Sequence, residues 1–132
     1  MRVVLDTNVF ISGIFWIGTP NKIITYWKEG RFTLISSLGT VVELARILKD
    51  FKIKLPEDVI KEWVDIIIKN SVMVEPKEKL NIIKDDPKDN IFIETAVAGN
   101  ANYIISQDKH ILKIKEYKRI KILTPEEFEK IN

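Results

Sequence analysis

Short apolar segments alternate with longer segments of helical period along almost the whole chain of 132 residues. The short segments are rich in valine, isoleucine and leucine, as in strands that are buried on both faces of a sheet. Because strands that alternate with helices pack into a parallel sheet with helices on both faces, we predict an α/β fold. The expected architecture is a single-domain α/β/α sandwich with a mostly parallel central sheet, occupying residues 1–132. Strands are predicted at residues 2–5, 31–36, 71–75, 103–105 and 119–123.

Start signals and apolar spacing locate the helices between these strands. Thr19 and Pro20 suit the N-cap and the first position of one helix. Apolar residues at positions 41, 44, 45 and 48 have the helical period and predict a second helix over residues 40–50. Other helices are predicted to start at Pro56, at Asp86, at Lys109 and at Thr124, where Thr-Pro-Glu-Glu has the spacing of a capping box.

The residue types that are absent restrict the chemistry of any active site. The chain has no cysteine, which excludes disulfides, zinc–thiolate sites and thiol nucleophiles. Its single histidine, His110, cannot form a multi-histidine metal site. Enzymatic chemistry is therefore expected to come mostly from carboxylates, lysines, hydroxyls or a bound cofactor. The net charge of +2 weakly favours a nucleic-acid partner.

The composition also suggests where the protein works. No apolar run approaches the roughly 20 residues of a membrane span, so we expect no membrane association and a cytoplasmic location. Lysine, glutamate and isoleucine are abundant and Gln107 is the only glutamine, a composition that fits a thermophile source.

Acidic residues follow the predicted strands at the points where a parallel sheet binds its ligands, beyond the carboxyl ends of the strands. Asp6 follows the first strand, and Asp108 follows the fourth. Asp86 and Asp89 begin the helix that leads into that fourth strand, and Glu43 lies early in the helix after the second strand. Four separate segments thus bring carboxylates toward one edge of the sheet.

Each of these acids also has a purely structural interpretation. Three of them suit turn or helix-cap positions, a fourth suits the helix dipole, and Glu43 suits a solvated helix face beside Arg46. The five acids taken together are harder to explain, because carboxylates about 6 Å apart repel by about 3 kcal/mol per pair at an effective dielectric near 20. A hard divalent cation removes that repulsion, and Mg²⁺ or Mn²⁺ prefers such oxygen ligands. The group therefore predicts a metal site suited to the hydrolysis of phosphodiesters.

Four stretches of the chain carry a family resemblance. They are the amino-terminal Val-Val-Leu-Asp-Thr-Asn-Val-Phe-Ile-Ser-Gly, Glu-Leu-Ala-Arg-Ile-Leu from Glu43, Asp-Pro-Lys-Asp-Asn-Ile-Phe-Ile-Glu-Thr-Ala-Val-Ala from Asp86, and Ala-Asn-Tyr-Ile-Ile-Ser-Gln-Asp-Lys-His from Ala101. By their order and spacing they cover nearly the whole chain. Together they resemble the PIN-domain family, in particular its small toxin-like (VapC-like) ribonuclease branch.

The resemblance implies divalent-metal-dependent hydrolysis of RNA by a set of acids, with Mg²⁺ or Mn²⁺ as the cofactor. Three aspartates would bind the metal, directly or through water, and a glutamate would complete its shell or orient the attacking water. The resemblance also implies the toxin of a toxin–antitoxin pair, restrained by an antitoxin protein, and a homodimer. The matching residues are the quartet Asp6, Glu43, Asp89 and Asp108, the additional metal-binding acid Asp86, and the hydrogen-bonding supports Asn8 and Ser106.

Basic and aromatic residues near these acids are candidates for RNA contacts. Lys109, His110 and Arg46 are candidates for phosphate contacts, although a solvated surface is the ordinary explanation for such residues. Phe15 and Trp16 suit the stacking of bases, but core packing or a dimer contact explains them equally well.

Three other classes of protein share parts of this pattern. A phosphoaspartyl phosphatase needs an acid two residues after Asp6, where this chain has Asn8, and a receiver domain needs an acid pair after the first strand. The stronger competitor is a non-catalytic PIN-like module that binds RNA or a protein. The retained acids argue against such a module, and a cleavage assay with added Mn²⁺ distinguishes it from a nuclease.

Overall fold

Six strands form one sheet in the computed structural model, which describes residues 1–131. The strands are β1 (Arg2–Leu5), β2 (Thr33–Ser36), β3 (Ser71–Met73), β4 (Tyr103–Ile105), β5 (Glu116–Tyr117) and β6 (Ile120–Leu123). Their order across the sheet is β3-β2-β1-β4-β6-β5. The β5–β6 pair is antiparallel, and the other neighbouring pairs within residues 1–131 are parallel. The predicted fold class is therefore confirmed.

Seven helices connect and cover these strands within the described residues. A short 3-10 turn at Pro87–Asp89 leads directly into the fifth of them. Within residues 1–131, no helix combines the length and the apolar character that crossing a bilayer requires. The helices are α1 (Thr7–Phe15), α2 (Thr19–Lys28), α3 (Leu38–Asp50), α4 (Glu57–Lys69), α5 (Asn90–Ala98), α6 (Lys109–Leu112) and α7 (Pro125–Ile131).

The alternation of side chains along the strands produces two apolar cores, one on each face of the sheet. Val3 and Leu5 of β1 enter the core that α1, α2, α3, α4 and α7 cover. Val4, between them, enters the opposite core, where Phe92 and Ile93 of α5 are fully buried. Burial on both faces explains why the strands are continuously apolar rather than alternating in polarity.

Some element boundaries differ from the prediction. The helix α2 begins at Thr19 with Gly18 at its N-cap, so Thr19 is not the cap. The helix α3 begins at Leu38 rather than at residue 40, because Ser37 caps it and forms a reciprocal capping box with Thr40. The capping box predicted at the last helix is present, since Thr124 and Glu127 exchange hydrogen bonds.

Two elements were not predicted at all. The helix α1 is apolar on nearly every side, with Val9, Phe10 and Ile11 buried in succession, so it shows no amphipathic period. The strand β5 is two residues long and gives no pattern that could be recognised.

The topology creates one switch point in the sheet. From β1 the chain moves outward through β2 and β3, and it then returns to the other side of β1 through β4 and β6. The loops that leave β1 and β4 therefore diverge at their carboxyl ends. In open α/β sheets this crevice is where ligands bind.

Candidate active site

Asp6 lies at the switch point, immediately after β1, and its side chain is only 4% exposed. Its backbone N–H donates to the carbonyl of Ile105 in the neighbouring strand (2.9 Å), which fixes it against the end of β4. Burial raises the pKa of the Asp6 carboxyl from about 3.8 to about 6, although a hydrogen bond from Ser106 acts in the opposite direction. Asp6 is therefore an acid whose negative charge is poorly compensated by the protein.

Ser106 links the first acid to the acid that follows β4. Its hydroxyl donates to Asp6 Oδ2 (2.7 Å) and accepts a bond from the backbone N–H of Asp108 (2.9 Å). Asp108 Oδ1 in turn accepts from the backbone N–H of His110 (2.7 Å) and so caps α6. The fully buried serine thus holds the two carboxylates at one edge of the sheet.

Asp86 and Asp89 approach the same edge from the 3-10 turn that precedes α5. Asp89 Oδ2 is buried and has no hydrogen-bond partner in the described part of the chain. Burial, followed by the charges of Asp86, Asp6 and Asp108, raises the pKa of Asp89 from about 3.8 to about 7. A hydrogen bond to Asp108, available only when one of the two carboxyls carries a proton, acts in the same direction. Four aspartates therefore share one electrostatic environment.

Helix capping does not account for three of these aspartates. The side chains of Asp6, Asp86 and Asp89 form no capping hydrogen bond, although each stands at a helix or 3-10 start. Of the four, Asp108 is the one that caps a helix. Helix capping therefore does not explain why the chain tolerates these neighbouring charges.

Glu43, the remaining acid of the predicted quartet, is paired with a cation of its own. It forms a two-bond ion pair with Arg46, one turn along α3, with its closest contact at 2.9 Å. This pair raises the pKa of the Arg46 guanidinium. A Cβ at Gly39 would stand 2.8 Å from the side chain of Ile91, so the glycine allows the start of α3 to approach α5 closely. The helix is thus near the acidic edge, while the Glu43 carboxylate turns along the helix surface.

The predicted supports and substrate contacts lie in different surroundings. Asn8 is exposed, and the backbone N–H groups of Thr7 and Asn8 lower the pKa of Asp6 slightly without closing a capping bond. Lys109 is exposed beside Asp108. His110 lies 3.4 Å from Asp85 Oδ2, so it faces the loop before Asp86 rather than the open edge.

The two aromatic candidates form a surface cluster. The ring of Phe15 stacks on Phe51 with centroids 4.9 Å apart, and Trp16 contacts both rings while remaining 47% exposed. Packing accounts for the half-buried Phe15, whereas Trp16 keeps a free ring face.

Asn90 holds the segment that carries Asp86 and Asp89, a role that the sequence did not reveal. Its Oδ1 accepts from the backbone N–H groups of Ile82 and Ile83, at 3.0 and 2.9 Å. Its Nδ2 donates to the carbonyls of Ile83 and Pro87, at 3.0 and 2.9 Å. These four bonds use every donor and acceptor of the carboxamide. An asparagine directly after Asp-Pro-Lys-Asp was the one available signal.

The four aspartates offer the donor chemistry that suits a hard divalent cation. Their donor atoms are carboxylate oxygens, the ligands that Mg²⁺ and Mn²⁺ prefer, and Asp89 Oδ2 is buried without a partner. Within residues 1–131, no three acidic or histidine side chains form a set that would hold an ion by themselves. An ion at this edge would therefore take at most two of these carboxylates directly, and water would supply the remaining ligands, as it usually does around Mg²⁺.

The fold and the site together define the class of protein: an α/β sandwich with a carboxylate site at the switch point of its sheet. Comparison with known families identifies that class more closely. The PIN-domain family model matches residues 2–110, and this chain belongs to the PIN-domain family. The uncharacterised protein MJ1680 of Methanocaldococcus jannaschii is 28% identical over 145 aligned positions, which cover 97% of this chain and 89% of that relative.

Solved structures share the fold at low sequence identity. A chain of VapBC-1 from nontypeable Haemophilus influenzae matches with a TM-score of 0.62 and 18% identity, over 96% of this chain and 99% of that one. A chain of VapBC2 from Rickettsia felis, solved in complex with a DNA fragment from its promoter, matches with a TM-score of 0.61 and 17% identity, over 92% of this chain and 97% of that one. A chain of FitAcB from Neisseria gonorrhoeae matches with a TM-score of 0.55 and 18% identity, over 93% of this chain and 97% of that one.

Proposed function

We propose that this protein is a divalent-metal-dependent endoribonuclease that hydrolyses phosphodiester bonds at the edge where the four aspartates meet. The observation that carries the proposal is the pair of acids at this edge: buried Asp6, linked to Asp108 through Ser106, and Asp89, whose buried Oδ2 has no hydrogen-bond partner among the described residues. Burial raises the pKa of Asp6 to about 6 and that of Asp89 to about 7, in line with this geometry. Uncompensated carboxylates in a switch-point crevice suit the binding of a cation. Membership of the PIN-domain family supports the same activity.

The residues at this edge have distinct roles in the proposed reaction. Asp6, Asp89 and Asp108 would hold Mg²⁺ or Mn²⁺, directly or through water, and Asp86 would add negative charge beside them. When bound, the cation supplies a Lewis acid for the phosphodiester. Ser106 orients the Asp6 carboxylate through its 2.7 Å hydrogen bond. It also holds the backbone of Asp108 beside Asp6, because its hydroxyl accepts from the Asp108 N–H. Lys109 is exposed next to Asp108 and is suited to meet a phosphate of the RNA.

Glu43 is proposed as the group that orients the attacking water. It is the one acid of the predicted quartet that is neutralised by a cation of its own, Arg46. A rotation about its side chain would release the carboxylate toward the aspartates, and a phosphate that binds Arg46 would favour that release because it competes for the guanidinium.

The first test is cleavage of labelled single-stranded RNA by the purified protein. We expect cutting with added Mg²⁺ or Mn²⁺ and no cutting in EDTA, because without a cation the four aspartates repel the phosphodiester. Fragment lengths on a denaturing gel give the measurement. RNA that remains intact with both metals, at a protein concentration that binds it, would favour the non-catalytic PIN-like module instead.

A second prediction concerns Ser106→Ala. The substitution removes a hydrogen bond that lowers the pKa of Asp6, so we expect that pKa to rise further and Mn²⁺ affinity to fall by about 10–100-fold. Calorimetric titration with Mn²⁺ at pH 7 measures the change. Ser71→Ala, which removes a hydroxyl that accepts from Ser36 at 3.1 Å, is the matched control and should bind Mn²⁺ normally. Equal affinities in the two variants would contradict the role given to Ser106.

The partners of this chain follow from the same proposal. Chains of VapBC and FitAcB structures share the fold of this chain, and we propose that this chain is the toxin of a toxin–antitoxin pair and forms a homodimer. Sedimentation equilibrium tests the dimer directly. A monomer at micromolar concentration would reject that part of the proposal and leave the nuclease assignment untouched.

A further inference from the structure

The positive charge of this chain is concentrated along one edge of the sheet. Residues 109–121 contain six lysines and arginines and one acid, a net charge of +5, whereas the whole chain carries +2. We call this segment the basic edge. It comprises α6, the antiparallel strand β5 at the border of the sheet, the turn after it, and the first residues of β6. Its cations are Lys109, Lys113, Lys115, Lys118, Arg119 and Lys121.

Most of these cations have no charged partner. All six are exposed, and Lys113 is the one that forms a salt bridge, to Asp85 at 2.8 Å, among the residues described. Lys118 lies 5.6 Å from the ring centroid of Tyr117, which is a weak contact for an exposed pair. Five cations are thus available to an external anion.

The backbone of the basic edge is strained at three of its cations. Lys115, Lys118 and Arg119 have φ values of 67°, 47° and 69°, in the left-handed region that favours glycine and asparagine. Positive φ at both central residues of the β5–β6 turn is the geometry that Asn-Gly normally supplies. This chain has Lys-Arg there, so the cations are kept at a cost in free energy that asparagine and glycine would avoid.

Protection of the sheet border does not explain this choice. Lysines on an edge strand prevent pairing with another chain, and that is the ordinary reason for them. The strand β5 itself, however, consists of Glu116 and Tyr117, and the cations flank it rather than occupy it. Two of them sit in the turn at its end, where no further strand could pair.

We propose that the basic edge binds the phosphate backbone of single-stranded RNA and guides it to the four aspartates. This inference rests on the proposed function and names a surface beyond it. The match to the family model ends at residue 110, so nearly all of the basic edge lies outside the part of the chain that the family shares.

The position of the basic edge favours RNA over an acidic protein. The edge begins at Lys109, directly after Asp108, and extends to the Lys118–Arg119 turn at the opposite end of the sheet. At about 3.3 Å per extended residue, roughly 10 Å separates Lys115 from that turn. A chain of phosphates leaving the acidic site would meet cations along this path. The acidic site needs such a flank, because the aspartates by themselves repel the substrate.

The test exploits the strained turn. The double variant Lys118→Asn with Arg119→Gly supplies the residues that the turn geometry prefers, so it should fold well and raise the melting temperature. We expect it to bind labelled single-stranded RNA more weakly in EDTA, measured by fluorescence anisotropy. The slope of log affinity against log salt should become shallower by about 1.4, since each phosphate contact on a single strand contributes about 0.7. In cleavage assays KM should rise and kcat should stay unchanged.

The matched control is Lys61→Gln with Lys79→Gln, which removes the same charge from exposed positions elsewhere. An unchanged salt slope in the turn variant, or an equal change in the control, would overturn the inference. Binding is measured without cleavage, so the two proposals fail separately. Loss of binding in a protein that never cuts RNA would reject the nuclease alone, and normal binding by the turn variant in a protein that does cut would reject the basic edge alone.

Discussion

Replacement of Asp6 by asparagine is expected to abolish RNA cleavage and, in the same molecule, to stabilise the metal-free fold. In the proposed mechanism the Asp6 carboxylate holds the cation, and its loss would remove several kcal/mol of transition-state stabilisation, which corresponds to about a thousandfold or more in rate. The buried Asp6 carboxylate has its pKa raised to about 6, and asparagine removes the charge that burial disfavours. The asparagine side-chain oxygen can still accept the Ser106 hydroxyl, so the local structure should survive.

The sign of the stability effect follows from the pKa. An unfolded aspartate titrates near 3.9 and folded Asp6 near 6, so between these values the folded state binds more protons. The free energy of unfolding of the natural chain therefore falls as pH rises from about 4 to about 6, by about 3 kcal/mol for a shift of about two pKa units. Asparagine does not titrate. The two proteins should be equally sensitive to urea at pH 4 and should differ by about 3 kcal/mol at pH 8.

Urea unfolding in EDTA at both pH values measures this difference, and added Mn²⁺ should stabilise the natural chain but not the variant. Asp65→Asn is the matched control, because Asp65 is exposed on α4 and forms no salt bridge within residues 1–131. It should cleave RNA normally and show no pH-dependent gain. An Asp6→Asn protein that cuts RNA at the natural rate, or that is less stable at pH 8, would refute the account of this site.

The parts of the fold that sequence patterns predicted are those governed by local rules. The buried strands were recognisable because both faces of β1, β2 and β4 pack against helices, which leaves continuous apolar runs. The capping box at the last helix depends only on Thr124 and Glu127, three positions apart in the sequence. The helix α1 was not predicted because it packs against the sheet on one side and against α2 and α3 on others. Its apolar residues therefore show no helical period.

The site was predictable to the extent that the sheet determines it. Asp6 and Asp108 follow β1 and β4, and parallel strands bring their carboxyl ends to one edge wherever the helices lie. The direction of the Glu43 carboxylate depends instead on side-chain rotation, and the ion pair with Arg46 sets that direction. Asn90 depends on contacts with residues 82 and 83, in a stretch without periodicity, and such contacts cannot be read from spacing along the chain.

Asn90 is the residue outside the acids whose replacement we expect to affect both the stability of the fold and the acidic site. Its side chain closes the loop from Ile82 to Pro87 with four hydrogen bonds and is 3% exposed. In Asn90→Ala the backbone N–H of Ile83, which is buried, loses its partner, and a buried donor without a partner costs about 1–3 kcal/mol. With the other lost bonds and the small cavity, we expect a total destabilisation of about 3 kcal/mol.

Asn90→Ala should also impair the site, because Asp89 is the residue directly before it and Asp86 lies in the loop that it closes. Looser positioning of two carboxylates is expected to lower Mn²⁺ affinity and the rate of RNA cleavage by about 10–100-fold. Both are measured at a temperature where unfolding curves show that the variant is fully folded. Asn90→Asp should be affected as well, since a carboxylate accepts the two N–H bonds but cannot donate to Ile83 and Pro87.

Asn90 could act on the acidic site through global stability alone or by positioning the Asp86–Asp89 segment. The variant Phe128→Ala distinguishes these two roles. Phe128 is fully buried on α7, where it packs edge-on against Phe32 and Tyr103, so its loss should cost about 3–5 kcal/mol without touching the acidic edge. If Asn90 acts only through global stability, the two variants should bind Mn²⁺ equally well once both are folded. If Asn90 positions the Asp86–Asp89 segment, Phe128→Ala should bind Mn²⁺ with natural affinity while Asn90→Ala does not, because the defect then lies in the loop itself.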